Sequence, residues 1–245
     1  MNEEFVRTQL IFGDKAMERL AASRIAVFGI GGVGGHAAEA LVRSGIGCID
    51  IIDNDKVAVS NINRQIIALH STVGMYKVDA AEQRLNDISP ECTVNKYRTF
   101  FLPETKELFD FTQYDYVIDA IDTVSGKLAL VESSKEAGVP IICSMGAGNK
   151  IDPTAFEVTD IYKTSVCPLA RVVREQCRKR RIKKLKVVYS KEQPRKPRNT
   201  GLFGKEKETV GKGRRTVPGS NAFVPSVVGL IIAGEVIKDL CGDLI

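Results

Sequence analysis

Three features that would place this chain in other classes of protein are missing from its sequence. Its six cysteines are scattered and none forms a CxxC pair, which argues against a zinc-ribbon site. The longest apolar stretch, 223–232, is too short and too interrupted by Gly and Pro to span a membrane. The N-terminus, MNEEFVRTQL, does not have the pattern of a signal peptide. Free cysteines fit a reducing compartment, so we expect a cytoplasmic protein without a membrane partner.

The composition is that of one ordinary globular domain. With 245 residues the chain can bury one sizeable core, and its 44% hydrophobic and 27% charged residues are typical values. Strand and helix patterns alternate without a linker up to residue 150, which predicts a Rossmann-like, doubly wound α/β domain with a mostly parallel sheet. We expect an N-terminal helix over 3–20. We divide the domain into a nucleotide-binding half, 1–150, and a substrate-binding half, 151–245, which carries a basic C-terminal extension.

A strand, a glycine-rich turn, a helix and a second strand that ends in an acid follow one another from Ile25 to Asp53. The glycines of the turn are Gly29, Gly31, Gly32 and Gly34. Such a turn brings backbone N–H groups and the positive end of a helix dipole close to a phosphate, while the acid accepts hydrogen bonds from a ribose. The pattern predicts a nucleotide site, but it fits NAD, FAD and ATP equally.

The polar residues after Asp53 distinguish among these nucleotides. Asp55, Asn61 and Arg64 follow closely, within the segment DNDKVAVSNINRQ. A dehydrogenase has no need for an asparagine–arginine cluster directly after the ribose acid. A protein that holds a triphosphate does, because fixed cations must meet the negative charge of the phosphates and of a departing pyrophosphate. We therefore expect ATP.

The order of these motifs resembles the adenylating enzymes related to ubiquitin-activating enzyme, which include the activators of the molybdopterin and thiamine sulfur carriers. The matching segments are Arg7-Thr8-Gln9, GIGGVGG at 29–35, the residues from Asp53 to Gln65, Gly74-Met75-Tyr76-Lys77 and Asp119-Ala120-Ile121-Asp122. The resemblance covers most of the chain. It implies binding of ATP and Mg²⁺ and the joining of a carboxylate to AMP.

The resemblance also implies roles for individual residues. Arg64 and Lys77 would hold the phosphates, Asp122 would bind Mg²⁺, and Arg7 would reach the ATP of the partner in a homodimer. Taken alone, Lys77 and Arg7 are typical solvated charges, and Asp122 could be a helix N-cap. Catalysis would depend on Arg64, Lys77 and Asp122. The predicted nucleotide-binding set is Gly29, Gly31, Gly32, Gly34, Asp53, Asp55, Asn61, Arg64, Lys77 and Arg7.

Positive charge is concentrated in residues 171–198, which hold thirteen Lys/Arg and two Glu, a local net charge of +11 in a chain of net charge +5. A polyanion partner would compensate such one-sided charge, so we predict contact with nucleic acid; a solvated loop is the alternative. The candidates are Arg178, Lys179, Arg180, Arg181, Lys183, Lys184 and Lys186. We expect 171–219 to form a mobile basic segment, because its second part is rich in Pro, Gly and Lys.

Two later segments, MGAGNKIDPT at 145–154 and KTSVCPLARVVR at 163–174, resemble the branch of this family that modifies tRNA. In that branch ATP activates the threonyl carboxylate of a modified adenosine beside the anticodon. Loss of AMP then closes a ring, with net removal of water. Closure within one substituent can reach effective molarities of ~10⁵ M, so no enzyme nucleophile is required. We therefore expect Cys167 to be a loop thiol rather than an acyl acceptor.

Three other functions fit parts of the sequence. An activator of a ubiquitin-like sulfur carrier shares the nucleotide motifs, although the CxxC pairs common in that group are absent, and a cysteine desulfurase or sulfur-acceptor partner stays an open alternative. An NAD-dependent dehydrogenase fits the glycine turn but not Arg64 and Lys77. A non-enzymatic tRNA-binding protein fits the basic segment but not the intact acids and cations.

Overall fold

The computed structural model of the chain describes residues 3–198 and 218–245. Its centre is a seven-stranded sheet in the order β3-β2-β1-β4-β5-β7-β6, in which only β6 runs antiparallel to its neighbour. The strands are β1 (Arg24–Phe28), β2 (Cys48–Ile52), β3 (Thr93–Tyr97), β4 (Tyr116–Asp119), β5 (Ile141–Ser144), β6 (Phe156–Asp160) and β7 (Lys186–Ser190). This agrees with the predicted doubly wound, mostly parallel sheet.

Seven α-helices connect or flank these strands within the described residues. They are α1 (Val6–Phe12), α2 (Asp14–Ala21), α3 (Gly34–Val42), α4 (Lys77–Ile88), α5 (Val124–Glu136), α6 (Pro168–Lys179) and α7 (Val224–Cys241). One face of the sheet packs against α3, α4 and α7, and the other against α5 and α6. None of the helices described is long and apolar enough to cross a membrane.

The chain changes direction between β1 and β4. From β1 it winds outward through β2 to β3, and it then returns to β4 on the other side of β1. The carboxyl ends of β1 and β4 therefore diverge at a topological switch point, where open α/β sheets form their ligand crevice. The two strands pair in parallel, with Phe28 opposite Asp119.

The N-terminal helix expected over 3–20 is divided in two. Gly13 separates α1 from α2 with φ of 79°, a left-handed conformation that glycine adopts readily. The second helix buries Ala16 and Leu20 against the core, whereas Leu10 and Ile11 of the first are exposed. The break turns α1 away from the path of α2.

The basic segment 171–219 is not one mobile loop. Its first part forms most of α6, and 186–190 forms β7, an interior strand between β5 and β6. Apolar residues at helical spacing cause this, since Val173 and Cys177 are buried against α5 and the sheet. The prediction of mobility for residues 199–217 lies outside the described residues.

Candidate active site

A cavity of about 470 Å³ opens at the carboxyl edge of the sheet, over the switch point between β1 and β4. Its wall is made by the glycine turn after β1, the acidic segment after β2, residues 99–101 after β3 and residues 120–122 after β4. This volume suits a nucleotide-sized ligand. Of the predicted nucleotide and metal residues, those that line the cavity are Gly29, Gly31, Gly32, Asp53, Asp55, Asn61, Arg64, Lys77 and Asp122.

The turn after β1 requires glycine at two positions for reasons of space. Gly29 has φ of 93°, and a Cβ there would lie 2.7 Å from the carbonyl oxygen of Ala120. A Cβ on Gly34, the first residue of α3, would lie 1.8 Å from the carbonyl oxygen of Gly29. Gly34 does not line the cavity; it lets the helix start pack against the turn. The turn thereby stays tight and keeps its backbone open to a ligand.

Lys77 is held between two carboxylates at the floor of the cavity. Its ammonium lies 2.7 Å from Asp55 Oδ2 and 3.7 Å from Asp53 Oδ2, and its side chain is almost fully buried. Asp53 also accepts hydrogen bonds of 2.8 Å from the N–H groups of Ile30 and Asp55. Burial raises the pKa of the Asp53 carboxyl, against the opposing effect of the Lys77 ammonium. Lys77 is therefore a fixed cation in the cavity and not a solvated first-turn residue.

Arg64 provides a second cation in the cavity wall. Its guanidinium donates hydrogen bonds to the carbonyl oxygen of Ser60 (2.8 Å) and to Asn63 Oδ1 (3.0 Å). Within the described part of the chain no carboxylate pairs with it, and burial lowers its pKa. The side chain of Asn61 caps its own turn by accepting the Ala58 N–H. An anion in the cavity would compensate the charge of Arg64.

Asp122 lies on the loop after β4 with its carboxylate exposed and facing the cavity. It makes no hydrogen bond or ion pair with any residue that the structure describes, and the N-cap position of α5 belongs to Thr123 instead. The N-cap interpretation of Asp122 is therefore wrong. No cluster of three or more potential metal-ligating side chains exists in 3–198 and 218–245. Any cation at Asp122 would take its other ligands from a bound phosphate or water.

A buried ion pair that the sequence did not reveal holds the loop of Asp122 in place. Lys127 of α5, 1% exposed, contacts both carboxylate oxygens of Asp119 at 3.0 Å and the carbonyl oxygen of Ser144 at 2.8 Å. Asp119, fully buried, also accepts the N–H of Ile121 at 3.2 Å. The pair ties the carboxyl ends of β4 and β5 to α5 and fixes the residue that precedes Asp122. Asp119 thus has a structural role.

Two further predicted sites lie away from the cavity. Arg7 is exposed on α1 and does not line the cavity of its own chain. Lys186, at the start of β7, is held by Glu235 (3.1 Å) and Asp239 (2.8 Å) of α7. Since these acids already compensate its charge, Lys186 is poorly suited to bind RNA phosphates.

The other predicted RNA-binding residues lie at the opposite edge of the sheet from the cavity. Helix α6 begins at the carboxyl edge of the sheet. Its N-cap residue, Cys167, lies beside Gly146, which follows β5: Cys167 Sγ would be 3.9 Å from a Cβ on that glycine. Its 12 residues then run about 18 Å toward the amino edge. The exposed residues at that end are Arg178, Lys179, Arg180, Arg181, Lys183 and Lys184. By contrast, the exposed Arg195, Lys196 and Arg198 follow the carboxyl end of β7, on the side of the cavity.

Residues that sequence reasoning missed also line the cavity. Thr99, Phe100 and Phe101 follow β3 directly, and the rule that ligands bind beyond the carboxyl ends of parallel strands could have identified them. Gln65 carries a buried side-chain oxygen without a hydrogen-bond partner in the described residues. No pattern in the sequence marks that oxygen, because its isolation results from tertiary packing.

Comparison with known proteins connects this geometry to one family. The sequence profile of the ThiF family matches residues 6–244. A tRNA threonylcarbamoyladenosine dehydratase of Bacillus subtilis is 46% identical, over 100% of this chain and 97% of that protein. The crystal structure of Escherichia coli tRNA N6-threonylcarbamoyladenosine dehydratase with ATP matches with a TM-score of 0.86 and 35% identity, over 98% of this chain and 95% of that one. Its complex with AMP matches with a TM-score of 0.87.

Proposed function

Because the chain belongs to the ThiF family, we propose that it uses ATP to activate the threonyl carboxylate of threonylcarbamoyladenosine in tRNA and closes a ring with net loss of water. The observation that carries this proposal is the convergence of the glycine turn, two fixed cations and a free carboxylate in one cavity. The similarity to a tRNA threonylcarbamoyladenosine dehydratase over the full length of the chain supports the choice of substrate.

The cavity offers a separate group to each part of ATP. The backbone of the glycine turn and the start of α3 suit a phosphate. Asp53, at the end of β2, suits the ribose hydroxyls, since acids at this position accept their hydrogen bonds. Arg64 and Lys77 suit the β- and γ-phosphates, where charge builds up as pyrophosphate departs. Lys77 is already held between Asp53 and Asp55, so little reorganisation is needed when the nucleotide binds.

Asp122 fits a magnesium site of the kind that nucleotide-dependent enzymes use. Mg²⁺ binds through one or two carboxylates together with waters and phosphate oxygens, so a single unpaired carboxylate in a nucleotide cavity suffices. The other two carboxylates of the cavity wall, Asp53 and Asp55, both contact the Lys77 ammonium. When bound, the ion would neutralise phosphate charge and orient the triphosphate. Asp122 would then hold it, while the Lys127–Asp119 pair keeps the loop in place.

The reaction consists of two successive substitutions, the first at the α-phosphorus and the second at the carboxyl carbon. The carboxylate oxygen that attacks in the first step leaves with AMP in the second. An oxygen of the threonyl carboxylate attacks the α-phosphorus, the bond to the pyrophosphate oxygen breaks, and a mixed anhydride with AMP forms. An atom of the same substituent then attacks the activated carbonyl carbon, and AMP leaves with the carboxylate oxygen. Since both reacting groups belong to one substituent, no enzyme nucleophile is needed. The position of Cys167 fits a reaction without an enzyme nucleophile, because the residue is 3% exposed and lies at the N-cap position of α6.

We further propose that two copies of the chain assemble and that the modified adenosine approaches from the β5–β7 side. Leu10 and Ile11 of α1 are 83% and 79% exposed, close in sequence to Arg7, and apolar side chains of this kind favour contact with a partner.

Arg195, Lys196 and Arg198 border the cavity side and could meet tRNA phosphates there. The cluster at the amino edge would contact more distant parts of the same tRNA.

Mass spectrometry of tRNA nucleosides after incubation with enzyme and ATP tests the proposal. We expect threonylcarbamoyladenosine to lose one water while AMP and pyrophosphate accumulate in equal amounts. Lys77→Met and Asp122→Asn should each lower AMP release by at least ~100-fold, whereas Lys135→Gln, an exposed change at the far end of α5, should have no effect. Unchanged nucleosides, or dehydration without ATP, would refute the proposed function.

A further inference from the structure

A buried lysine without an acidic partner lies beyond the carboxyl end of β5. Lys150 is 3% exposed, and its ammonium forms no hydrogen bond or ion pair with any residue in 3–198 or 218–245. Burial lowers its pKa, against the opposing effects of the Cys167 thiol and the Glu192 carboxylate. Burying an ammonium is costly unless an anion compensates it. The residues in 3–198 and 218–245 do not supply that anion to Lys150.

Glu192, the carboxylate that acts on the pKa of Lys150, already has other hydrogen-bond partners. Glu192 accepts the backbone N–H groups of Ile151 (3.1 Å) and Asp152 (2.9 Å), and Arg195 lies 3.7 Å away. These contacts fix Glu192 as a support of the loop and leave Lys150 without an ion-pair partner. An anion brought by a ligand would supply the missing charge.

The backbone around Lys150 is held firmly in place. Asn149, with φ of 61°, donates its backbone N–H to the carbonyl oxygen of Gly219 and accepts the Gly219 N–H through its side-chain oxygen. The carbonyl oxygen of Lys150 accepts a 2.9 Å hydrogen bond from the side chain of Asn221. A cation that is buried and positioned by several contacts is suited to a specific ligand rather than to general attraction of RNA.

A second positive element meets Lys150 at the same place. Cys167, which is near enough to Lys150 to act on the pKa of its ammonium, occupies the N-cap of α6, a helix of 12 residues. The first turn of such a helix presents free N–H groups and the positive end of its dipole. Gly146, which follows β5, lies beside this N-cap, since a Cβ there would be 3.9 Å from Cys167 Sγ. The two elements together favour an anion with oxygen acceptors.

Lys150 and the start of α6 lie at the same edge of the sheet as the nucleotide cavity. β5 pairs directly with β4, whose following residues 120–122 line the cavity, and neighbouring strands lie about 5 Å apart. A carboxylate that must attack the α-phosphorus has to approach from a neighbouring site at this edge. On the basis of the proposed function, we propose that Lys150 and the N-terminus of α6 bind the threonyl carboxylate of the substrate before it is adenylated.

Lys150 then distinguishes modified from unmodified tRNA. Unmodified tRNA offers the same phosphates but no threonyl carboxylate, so only the modified molecule would compensate the charge of Lys150. A charge-assisted hydrogen bond of this kind corresponds to ~10-fold or more in affinity. We expect wild-type protein, saturated with a non-hydrolysable ATP analogue, to bind threonylcarbamoylated tRNA at least ~10-fold more tightly than the unmodified transcript.

The test measures this preference in variants. Lys150→Met and Lys150→Gln should bind both tRNAs with the affinity that the wild type has for the unmodified transcript, and should raise KM far more than they lower kcat. Affinity for the ATP analogue and the melting temperature report on folding. Lys135→Gln is the matched control, because that lysine is exposed at the amino edge. Variants that keep the preference would overturn the proposal, as would equal weakening of both tRNAs, which indicates a phosphate contact.

A measurement on the wild type covers the case in which both variants misfold. Calorimetric titration of the wild type, saturated with the ATP analogue, should show that free threonylcarbamoyladenosine binds at least ~10-fold more tightly than its methyl ester, which lacks the carboxylate charge. Equal affinity for both compounds would contradict the assignment. Wild-type dehydration of modified tRNA is measured first: its absence refutes the proposed function itself, whereas normal dehydration with an unchanged preference in the variants refutes only the role of Lys150.

Discussion

Replacement of Lys127 by methionine tests how the structure supports the loop that carries Asp122. The substitution keeps the volume of the side chain approximately and removes its charge. It leaves Asp119, which is fully buried, without its cationic partner, while the 3.2 Å hydrogen bond from the Ile121 N–H remains. The carbonyl oxygen of Ser144 loses its 2.8 Å donor as well. Breaking a buried pair in this way leaves an uncompensated charge and destabilises a protein by about 3–5 kcal/mol.

For a domain of this size, a loss of 1 kcal/mol lowers the melting temperature by about 2–4 °C. We therefore expect Lys127→Met to melt about 6–20 °C below the wild type in calorimetry, with a matching shift of the urea midpoint. Lys135→Met, an exposed change on the same helix, should change the free energy of unfolding by less than about 0.5 kcal/mol. ATP affinity, measured well below the melting point, should also fall in Lys127→Met, because the loop before Asp122 loses its support.

The double variant Lys127→Met with Asp119→Leu separates the cost of the unpaired carboxylate from the loss of packing. Replacing both members of a buried pair by apolar residues is often neutral or stabilising. The double variant should therefore recover most of the stability that the single variant loses. If Lys127→Met loses less than about 1 kcal/mol, or if the double variant is no more stable than the single one, the buried pair does not have the role described.

Two other properties of the structure lead to measurable differences. Burial alone would raise the pKa of Glu39, but hydrogen bonds from two arginines lower it overall. The stabilisation exists above its ordinary pKa of 4.5 and is lost as pH falls through the lower folded value. Glu39→Gln should therefore cost about 1 kcal/mol in urea unfolding at pH 7 and progressively less as pH falls below 4.5; a cost independent of pH would contradict this. Neutralising Lys196 and Arg198 together should weaken tRNA binding and reduce its salt dependence more than neutralising Lys183 and Lys184 together, which removes the same charge at the far edge. The reverse order in a salt titration would show that the RNA lies over the amino edge.

The parts of the fold that the sequence predicted are those with local causes. The backbone of the turn from Gly29 to Gly34 passes so close to neighbouring atoms that it needs glycine, and the sequence shows this requirement. Asp53 follows at a spacing that is also visible in the sequence. Buried strands such as β4 and β5 appear as short apolar runs. Because the carboxyl ends of parallel strands share one edge, the placement of Arg64, Lys77 and Asp122 around one cavity also followed from the pattern.

The parts that the sequence did not predict depend on contacts between distant segments. The break at Gly13 looked compatible with a continuous helix, since apolar residues continue on both sides of it. The partners of Lys127 lie on two different strands, and the isolation of Lys150 depends on what the loop around it already binds. The location of the basic cluster required the path of α6, which composition does not contain. Charge is visible in a sequence, but its compensation is a property of the fold.

An oxygen-labelling experiment tests most directly whether the cavity joins the substrate carboxylate to AMP. Threonylcarbamoylated tRNA with ¹⁸O in the threonyl carboxylate is incubated with the wild-type protein and unlabelled ATP, and the nucleotides are examined by mass spectrometry. Attack of the carboxylate on the α-phosphorus transfers one ¹⁸O to AMP in each turnover, and the released pyrophosphate stays unlabelled. Release of ADP with ¹⁸O in inorganic phosphate would contradict the account, because it would show that the carboxylate is phosphorylated and not adenylated.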